Sequence, residues 1–319
     1  MKIKKTCRSI AFCSTIVFFV VSGSLHAGTY TWTGADSDNY GGSANWDVGG
    51  SSPNRDDDVT FDDPSLVANQ PSVYGKDEAK TVTFNQAGWT ITSPDPGVPD
   101  YLQLWAGTPG LTITSNGAGI NTIERLGTRA ATTFNIASGN TLVVNASGGA
   151  CDVATISGGG TLDIQGGSSD SFPTSLAGTL LMNTDYYQSG YNYTRTIGNG
   201  GILGGAGSLY EYNRATYTFA SGSTIAPGAK GIGDTTAGTL TFKQDRETSN
   251  RDFDVLLENG TSLAIDLFSA DCDQLYVTGA STLSPTDLQI GSGVELALSD
   301  QGLSYGTAYT VAEFDGAGT

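Results

Sequence analysis

The most regular feature of the sequence is a two-residue alternation of apolar and polar positions. An apolar residue at every second position places one face of a β-strand against a core, whereas no segment keeps the 3.6-residue period of an amphipathic helix. The pattern therefore predicts an all-β protein. Seven segments carry the alternation: Leu142/Val144, Leu162/Ile164, Leu240/Phe242, Leu263/Ile265/Leu267, Leu275/Val277, Leu288/Ile290 and Val294/Leu296/Leu298.

Glycine-containing turns precede most of these strands and define an internal repeat. Their spacing of about 19 residues suits one unit of a β-solenoid better than a hairpin meander, in which strands follow every 8–12 residues or so. The spacing is irregular, so a pair of antiparallel β-sandwiches stays open as the alternative architecture. The turn glycines are Gly139, Gly160, Gly178, Gly207, Gly222, Gly238, Gly260, Gly279 and Gly293.

Stacked repeats would align apolar residues in ladders, since one unit cannot bury its own apolar face. Leu162 and Leu240, each directly after a Gly-Thr turn, are the best candidates for inward-facing ladder positions. We expect an aspartate at either position to destabilise the fold strongly, because it would bury an unpaired charge.

The region before these repeats has a different composition. Trp32, Trp46, Trp89 and Trp105 are the four tryptophans of the chain, and all lie within residues 28–107. Terminal units of a solenoid are atypical because an exposed end must be covered, so we interpret residues 28–107 as an N-terminal β cap and residues 108–319 as the repeats. The proline-rich stretch at residues 93–100 predicts a surface loop.

The N-terminus has the three parts of a secretory signal peptide. Lys2, Lys4, Lys5 and Arg8 precede an apolar run at residues 10–21, which is too short to span a bilayer. We expect cleavage after Ala27 and a secreted or cell-surface protein without a transmembrane segment. The leader contains four basic and no acidic residues, so the formal charge of the mature chain falls from −17 to −21.

The composition of the chain without its leader excludes several kinds of binding partner and active site. A strongly acidic chain disfavours nucleic acid as a partner. His26 is the only histidine, so the mature chain cannot form a Ser-His-Asp or Cys-His site or a His-ligated metal centre. We therefore expect no enzymatic activity. Cys151 and Cys272 remain, and the sequence leaves open whether they form a disulfide or are two buried free thiols.

Carboxylates are the remaining candidates for catalysis. The run at residues 55–63 contains Asp56, Asp57, Asp58, Asp62 and Asp63, and two suitably spaced carboxylates suffice for glycoside hydrolysis. A polysaccharide-active enzyme using Asp57 or Asp62 is thus one alternative. The other interpretation is an exposed turn and edge strand, in which replacing Asp57 or Asp62 by Asn changes stability little.

Calcium is the one cofactor that the sequence indicates. Asp36, Asp38 and Asp47 occupy positions one, three and twelve of a loop with glycine at position six, as in part of an EF-hand loop. Tyr40 occupies position five and no helix is predicted beside the loop, so a polar cap loop without metal is the alternative.

Tyrosines cluster in the middle of the repeats. Tyr186, Tyr187, Tyr191 and Tyr193 stand close together, with three more following by residue 217. Aromatic side chains on a flat sheet can stack on sugar rings, which predicts a carbohydrate-binding surface and an extracellular glycan or cell-surface partner. The same cluster could instead cover an inner face of the fold.

Several motifs occur in the order typical of one bacterial family. They are residues 29–34 (TYTWTG), 44–46 (ANW), 57–62 (DDVTFD), 223–228 (STIAPG), 263–267 (LAIDL), 273–279 (DQLYVTG) and 309–314 (YTVAEF). In these the chain resembles autotransporter-associated β-strand repeat proteins, over most of its mature length.

The resemblance implies a right-handed parallel β-helix, export, and display as a surface scaffold or adhesin without catalytic activity. The chain departs from the family in having no translocator barrel and no C-terminal sorting helix with a basic tail. We therefore expect the sequence to be truncated, or its C-terminal anchor to be missing.

Overall fold

The computed structural model describes residues 27–95, 100–105, 110–146, 151–167, 172–173, 175–188, 193–212, 214–231, 233, 235–244, 253–279, 286–302 and 308–315. The predicted signal peptide lies almost entirely outside this part of the chain. Within it the protein is all-β, with two short 3₁₀ helices at Ser43–Asn45 and Pro64–Leu66. No helix in the described ranges is long and apolar enough to cross a membrane.

Short strands follow one another along the whole described chain. In order they are β1 (Thr29–Thr31), β2 (Asp58–Phe61), β3 (Lys76–Ala79), β4 (Thr81–Phe84), β5 (Thr90–Ile91), β6 (Tyr101–Leu104), β7 (Thr112–Ser115), β8 (Gly119–Ile123), β9 (Leu126–Thr128), β10 (Thr132–Ile136), β11 (Asn140–Ala146), β12 (Val153–Ser157), β13 (Thr161–Gly167), β14 (Ser175–Leu176), β15 (Thr179–Asn183), β16 (Asp185–Gln188), β17 (Tyr193–Ile197), β18 (Ile202–Gly205), β19 (Ser208–Glu211), β20 (Ala215–Phe219), β21 (Thr224–Pro227), β22 (Thr239–Gln244), β23 (Phe253–Leu257), β24 (Ser262–Leu267), β25 (Gln274–Thr278), β26 (Thr286–Ile290), β27 (Glu295–Asp300) and β28 (Ala312–Asp315).

These strands form several parallel sheets. The first sheet has the order β1-β2-β4-β7-β10-β12-β14-β17-β20-β23-β26, and the second has the order β5-β8-β11-β13-β15-β18-β21-β24-β27. The third sheet is β16-β19-β22-β25-β28, and the fourth is β3-β6-β9. Neighbouring strands pair in parallel throughout, for example β11 with β13 and β22 with β25. The antiparallel sandwich alternative is therefore wrong.

The chain visits the sheets in rotation, and we call one such passage a circuit. Strands β20, β21 and β22 lie in the first, second and third sheets, and β23, β24 and β25 repeat that sequence. Successive circuits therefore lie beside each other, which makes the fold consistent with a β-solenoid. This agrees with the β-solenoid that the average spacing of about 19 residues between the turn glycines predicts.

The core consists of ladders of apolar side chains that run across the circuits. Leu162 and Leu240 are fully buried, as the sequence predicts. Residues that pair across neighbouring strands point to the same face of the sheet, so each ladder is one continuous apolar row. The longest row in the second sheet is Leu142, Leu162, Leu180, Leu203, Ile225, Leu263 and Leu296.

The turn glycines serve two different physical needs. Gly139 has a φ of +78°, in the left-handed region where side chains are strained. The φ of Gly207 lies outside this region, but a Cβ atom there would lie 2.2 Å from the backbone oxygen of Thr184 in the neighbouring circuit. The repeat therefore uses glycine both for turn geometry and for close approach of the backbone.

The first sheet continues across the boundary predicted at residue 107. Strand β4 pairs with β7, so the N-terminal region and the repeats share hydrogen-bonded edges and one hydrophobic core. Three of the four tryptophans are buried in that core. Trp105 is 36% exposed, and the guanidinium carbons of Arg55 and Arg129 lie 4.9 and 5.8 Å from its ring centroid.

Candidate functional site

The acidic run at residues 55–63 is not a uniformly exposed edge. Asp57 is only 3% exposed, and its carboxylate accepts hydrogen bonds from the backbone nitrogens of Gly28 (2.6 Å) and Asn54 (2.9 Å) and from Asn54 Nδ2 (2.6 Å). The interpretation of Asp57 as an exposed solubilising charge is therefore wrong. Asp62 is exposed, as expected, and accepts a hydrogen bond from Asn85 Nδ2 at 2.6 Å.

Other carboxylates of this run have local structural partners. Asp58 accepts a hydrogen bond from Thr81 Oγ1 at 2.7 Å, across the strand pair β2 and β4. Asp63 caps the 3₁₀ helix at Pro64–Leu66 through the nitrogen and hydroxyl of Ser65. These hydrogen bonds lower the pKa of Asp63. Both side chains thus stabilise the local structure around β2.

Two of the three calcium candidates, Asp38 and Asp47, accept hydrogen bonds through their carboxylates within the protein. Asp47 accepts a hydrogen bond from the backbone nitrogen of Thr31, and Asp38 accepts from the hydroxyls of Ser72 and Tyr74. The backbone nitrogen of Asp36 donates to the side chain of Asn45. No group of three or more His, Cys, Asp or Glu side chains among the described residues could hold a metal ion.

The tyrosine cluster is divided between the core and the surface. Tyr186 is fully buried, so it cannot belong to an exposed aromatic face. Its ring packs edge-on against Phe172 at 5.9 Å. Tyr191 lies outside the described residues, and so does the side chain of Tyr193. Of the four predicted glycan contacts, only Tyr187 is partly exposed in the described chain.

Tyr187 belongs to a ladder on the outer face of the third sheet. Its ring stacks on that of Tyr210 with centroids 4.7 Å apart and planes 9° apart. The ammonium group of Lys243, in the next strand, lies 5.2 Å from the centroid of Tyr210. Stacking along the ladder covers the ring faces that a sugar would need. The arrangement therefore stabilises the pairing of β16, β19 and β22.

A charged network that the sequence did not reveal lies inside the fold. Glu211 is fully buried and accepts a hydrogen bond from the hydroxyl of Tyr217, and Arg195 contributes an opposite charge. Burial raises the pKa of Glu211 to about 8, although Tyr217 and Arg195 both lower it. Burial also raises the pKa of Tyr217 well above its usual value. Glu211 and Tyr217 lie in different strands, and the pattern of polar residues in the sequence does not indicate that they meet in the core.

A shallow groove crosses the outer face of the second sheet near the N-terminal end. It has a volume of about 340 Å³, within the range of small-ligand sites. The side chains of Thr122 and Val143, which pair across β8 and β11, form its floor. Polar residues of neighbouring strands and turns line its rim: Ser93, Glu124, Arg125, Asn145 and Gln165.

Hydrogen bonds fix the polar side chains around this groove. Asp163 accepts from Gln165 Nε2 and from Asn183 Nδ2, both at 2.8 Å. Glu124 accepts from the backbone nitrogen of Ser93 at 2.8 Å. Burial raises the pKa of Asp163, and its two amide partners lower it. The groove is therefore built from side chains with defined orientations.

A backbone irregularity lies directly beside the groove. Asn145 pairs with Gln165, but Ala146 pairs with Gly167, so Gly166 is an extra residue in β13. Gly166 has a φ of +65°, and a Cβ atom there would lie 2.7 Å from Asn145 Oδ1. Bulges of this kind re-aim side chains and occur frequently beside binding sites.

Cys151 and Cys272 are both buried thiols, and they do not form a disulfide with each other. Burial raises the pKa of the Cys151 thiol to about 12, so the reactive thiolate is disfavoured. Cys272 donates a long hydrogen bond to the backbone oxygen of Thr310. Of the two alternatives left by the sequence, the structure has the pair of separate thiols.

No protein-family model, curated protein or solved structure matches this chain.

Proposed function

We propose that this protein is an exported structural or adhesive β-solenoid of the autotransporter-passenger type, which acts at the cell surface or outside the cell without catalytic activity. The observation that carries the proposal is the parallel register maintained through successive circuits. It supports a rigid body with long outer faces, and such faces serve as extended binding surfaces in repeat proteins.

The coil of this solenoid is right-handed. Crossover connections between parallel strands of one sheet are right-handed in about 98% of cases, because the twist of the strands favours that path. From β2 onwards the chain returns to each sheet through one or two strands in other sheets, and every such return joins parallel strands. This supports the β-helix type that the resemblance implies.

The outer faces of the sheets have the composition expected of a surface in contact with water. On the second sheet, Thr141, Thr161 and Thr179 form a partly exposed row across three strands. Threonine suits strands and presents a hydroxyl at each step of the ladder. A repeated polar row offers many equivalent weak contacts, which suits attachment better than a single deep site.

The location can be tested by expressing the full chain in a bacterium with an outer membrane and separating the compartments. We expect the exported form to begin at Gly28 by N-terminal sequencing, and to be found outside the cytoplasm. A chain that retains its first 27 residues and stays in the cytoplasm would contradict export.

The adhesive role can be tested with beads coated with the chain that begins at Gly28. We expect the beads to be retained under flow on surfaces coated with extracellular polymers, and beads carrying the heat-unfolded chain to be released. Equal retention of folded and unfolded protein on every surface would contradict the role. Circular dichroism of the folded sample should show β-structure without substantial helix.

A further inference from the structure

We propose that the groove over Thr122, Val143 and Gln165 binds an extended neutral polysaccharide, and that the protein attaches to its surface through this polymer. The proposal deepens the adhesive function proposed above and rests on it. It places carbohydrate recognition on the second sheet, on polar side chains that the tyrosine pattern does not indicate.

The polar rim of the groove repeats from strand to strand. Asn145 pairs with Gln165, and Gln165 pairs with Asn183 in the next strand. Glu124 follows Ile123, whose partner is Val144, and so continues the same row beyond Asn145. Neighbouring strands lie about 4.8 Å apart, so the row presents an amide or carboxylate at regular short intervals. A polymer with a polar group on each unit matches such a row.

The chemistry of the lining suits sugar hydroxyls. Amide groups both donate and accept hydrogen bonds, and the carboxylate of Glu124 accepts them. The guanidinium of Arg125 adds donors at the same rim. Val143, partly exposed on the floor, offers an apolar patch between the polar groups. Sites that combine apolar surface with a few placed polar groups are typical of small-ligand recognition.

Hydrogen bonds order Gln165 at the rim of the groove and Asn183 beside it in the next strand. Gln165 donates to Asp163, and Asn183 donates both to Asp163 and to the backbone oxygen of Ala229 at 2.6 Å. The last bond ties the row to the turn after β21. Binding to an ordered site loses less side-chain entropy, which favours affinity from a small contact area.

The charge of the protein selects among polysaccharides. The chain has a formal net charge of −17, and Glu124 and Asp163 add local carboxylates beside the single guanidinium of Arg125. An anionic polymer would be repelled at low ionic strength. We therefore infer a neutral polymer, with hydroxyl groups as the recognised feature.

The inference can be tested by affinity electrophoresis and calorimetry with xylan, mannan, a mixed-linkage β-glucan and dextran as neutral probes. Polygalacturonate and alginate serve as anionic probes. We expect binding to at least one neutral polymer and to neither anionic one. Gln165→Ala and Val143→Arg should each weaken that binding by about tenfold or more, since one removes a contact and the other fills the floor.

Asn135→Ala provides the matched control. Asn135 is a partly exposed asparagine on the first sheet, hydrogen-bonded to Ser157 in the next strand, and it lies outside the groove. It should leave polysaccharide binding unchanged. Val143 faces outward in its strand, so Val143→Arg keeps the core intact even if Gln165→Ala disturbs the hydrogen bonds of Asp163. Thermal melts of all three variants establish that they are folded.

Each other result overturns the inference. Wild-type protein that binds none of the neutral polymers, or binds the anionic ones better, excludes the proposed ligand class. Binding that survives both groove variants, or that Asn135→Ala weakens equally, excludes the proposed site. If coated beads still adhere in these cases, only the groove assignment fails; if they do not adhere, the adhesive function fails as well.

Discussion

The first and last circuits of the described chain place apolar side chains in opposite environments. Trp32 and Trp46 are each 2% exposed and meet edge-on, with ring centroids 5.1 Å apart. In the last circuit Leu296, Leu298 and Phe314 are 51%, 54% and 43% exposed, although their ladder partners are buried. An inward register therefore does not ensure burial. A ladder residue is buried only when another circuit or a capping segment packs on each side of its own circuit.

A short irregular segment packs over the apolar side chains of the N-terminal circuit and buries them. An antiparallel bridge joins Trp32 and Trp46, and the segment between them brings the buried ring of Tyr40 against Trp46 at 4.9 Å. The indole nitrogen of Trp46 donates to the backbone oxygen of Tyr40 at 2.8 Å. Aromatic rings suit this role because each covers a large area with few rotatable bonds.

The largest effect is expected for a charge in the middle of a ladder. Leu162→Asp should reduce the free energy of unfolding by ~5 kcal/mol, since it places a carboxylate in a closed apolar row. The matched control is Leu296→Asp, because Leu296 belongs to the same row and is half exposed. Urea titrations of both variants measure the difference. Equal losses would show that the environments of the middle and last circuits do not differ.

A somewhat smaller effect is expected at the N-terminal cover. Trp46→Ala should cost about 3–5 kcal/mol, because it removes a large buried ring and leaves a cavity. Phe314→Ala in the last circuit should cost less than half as much, since its ring is already 43% exposed. Thermal denaturation of the two variants gives the comparison, and a larger loss from Phe314→Ala would refute it.

The buried Glu211 gives the middle circuits a pH dependence. Its folded pKa of about 8 lies above its ordinary value of 4.5, so its contribution to stability is complete below pH 4.5 and is lost as the pH rises towards 8. We expect this loss to be ~3 kcal/mol between pH 5 and pH 8, since one unit of pKa shift corresponds to about 1.4 kcal/mol and the pKa of about 8 already includes the effects of Tyr217 and Arg195. Glu211→Gln should remove it.

Thermal melts at pH 5, 6.5 and 8 measure this effect as the difference between wild type and Glu211→Gln. The comparison is needed because burial also raises the pKa of Asp77 to about 6, and that group titrates in both proteins. A difference between the two proteins that stays constant over this range would refute the assignment to Glu211.

The smallest effect concerns the N-terminus that the predicted cleavage after Ala27 would produce. If cleavage follows Ala27, the nitrogen of Gly28 that donates to Asp57 becomes a charged terminal ammonium. Charged hydrogen bonds are stronger than neutral ones, so Asp57→Asn should cost about 2 kcal/mol in a chain that begins at Gly28. It should cost less when Ala27 is retained, because the donor is then a neutral amide. Asp62→Asn, at an exposed position, is the control.

Melting temperatures of the two Asp57→Asn proteins and their parents give this comparison. The same decrease in melting temperature in both chains would show that Asp57 stabilises only the backbone next to β2, whatever the charge on the nitrogen of Gly28. A loss in Asp62→Asn as large as in Asp57→Asn would show that burial of the carboxylate has no part in the effect.

The candidate sites show where prediction from the sequence failed. Tyr186 and Tyr187 are adjacent, so one faces the core and the other the surface, and an aromatic cluster therefore cannot form one face. Asp57 lies in an acidic run but turns inward to satisfy backbone nitrogens. The groove residues Asn145 and Gln165 meet only because their strands are neighbours, and no local pattern records that pairing.

The sequence by itself determined the strands, the turns and the inward positions of the ladders. The two-residue period is a local property, and it correctly placed Leu162 and Leu240 in the core. Parallel pairing, the rotation among the sheets and the exposure of the last circuit were decided by the tertiary structure. Strand pairing depends on which strands become neighbours. The burial of a side chain depends on residues that are distant in the sequence, and a local pattern cannot specify either.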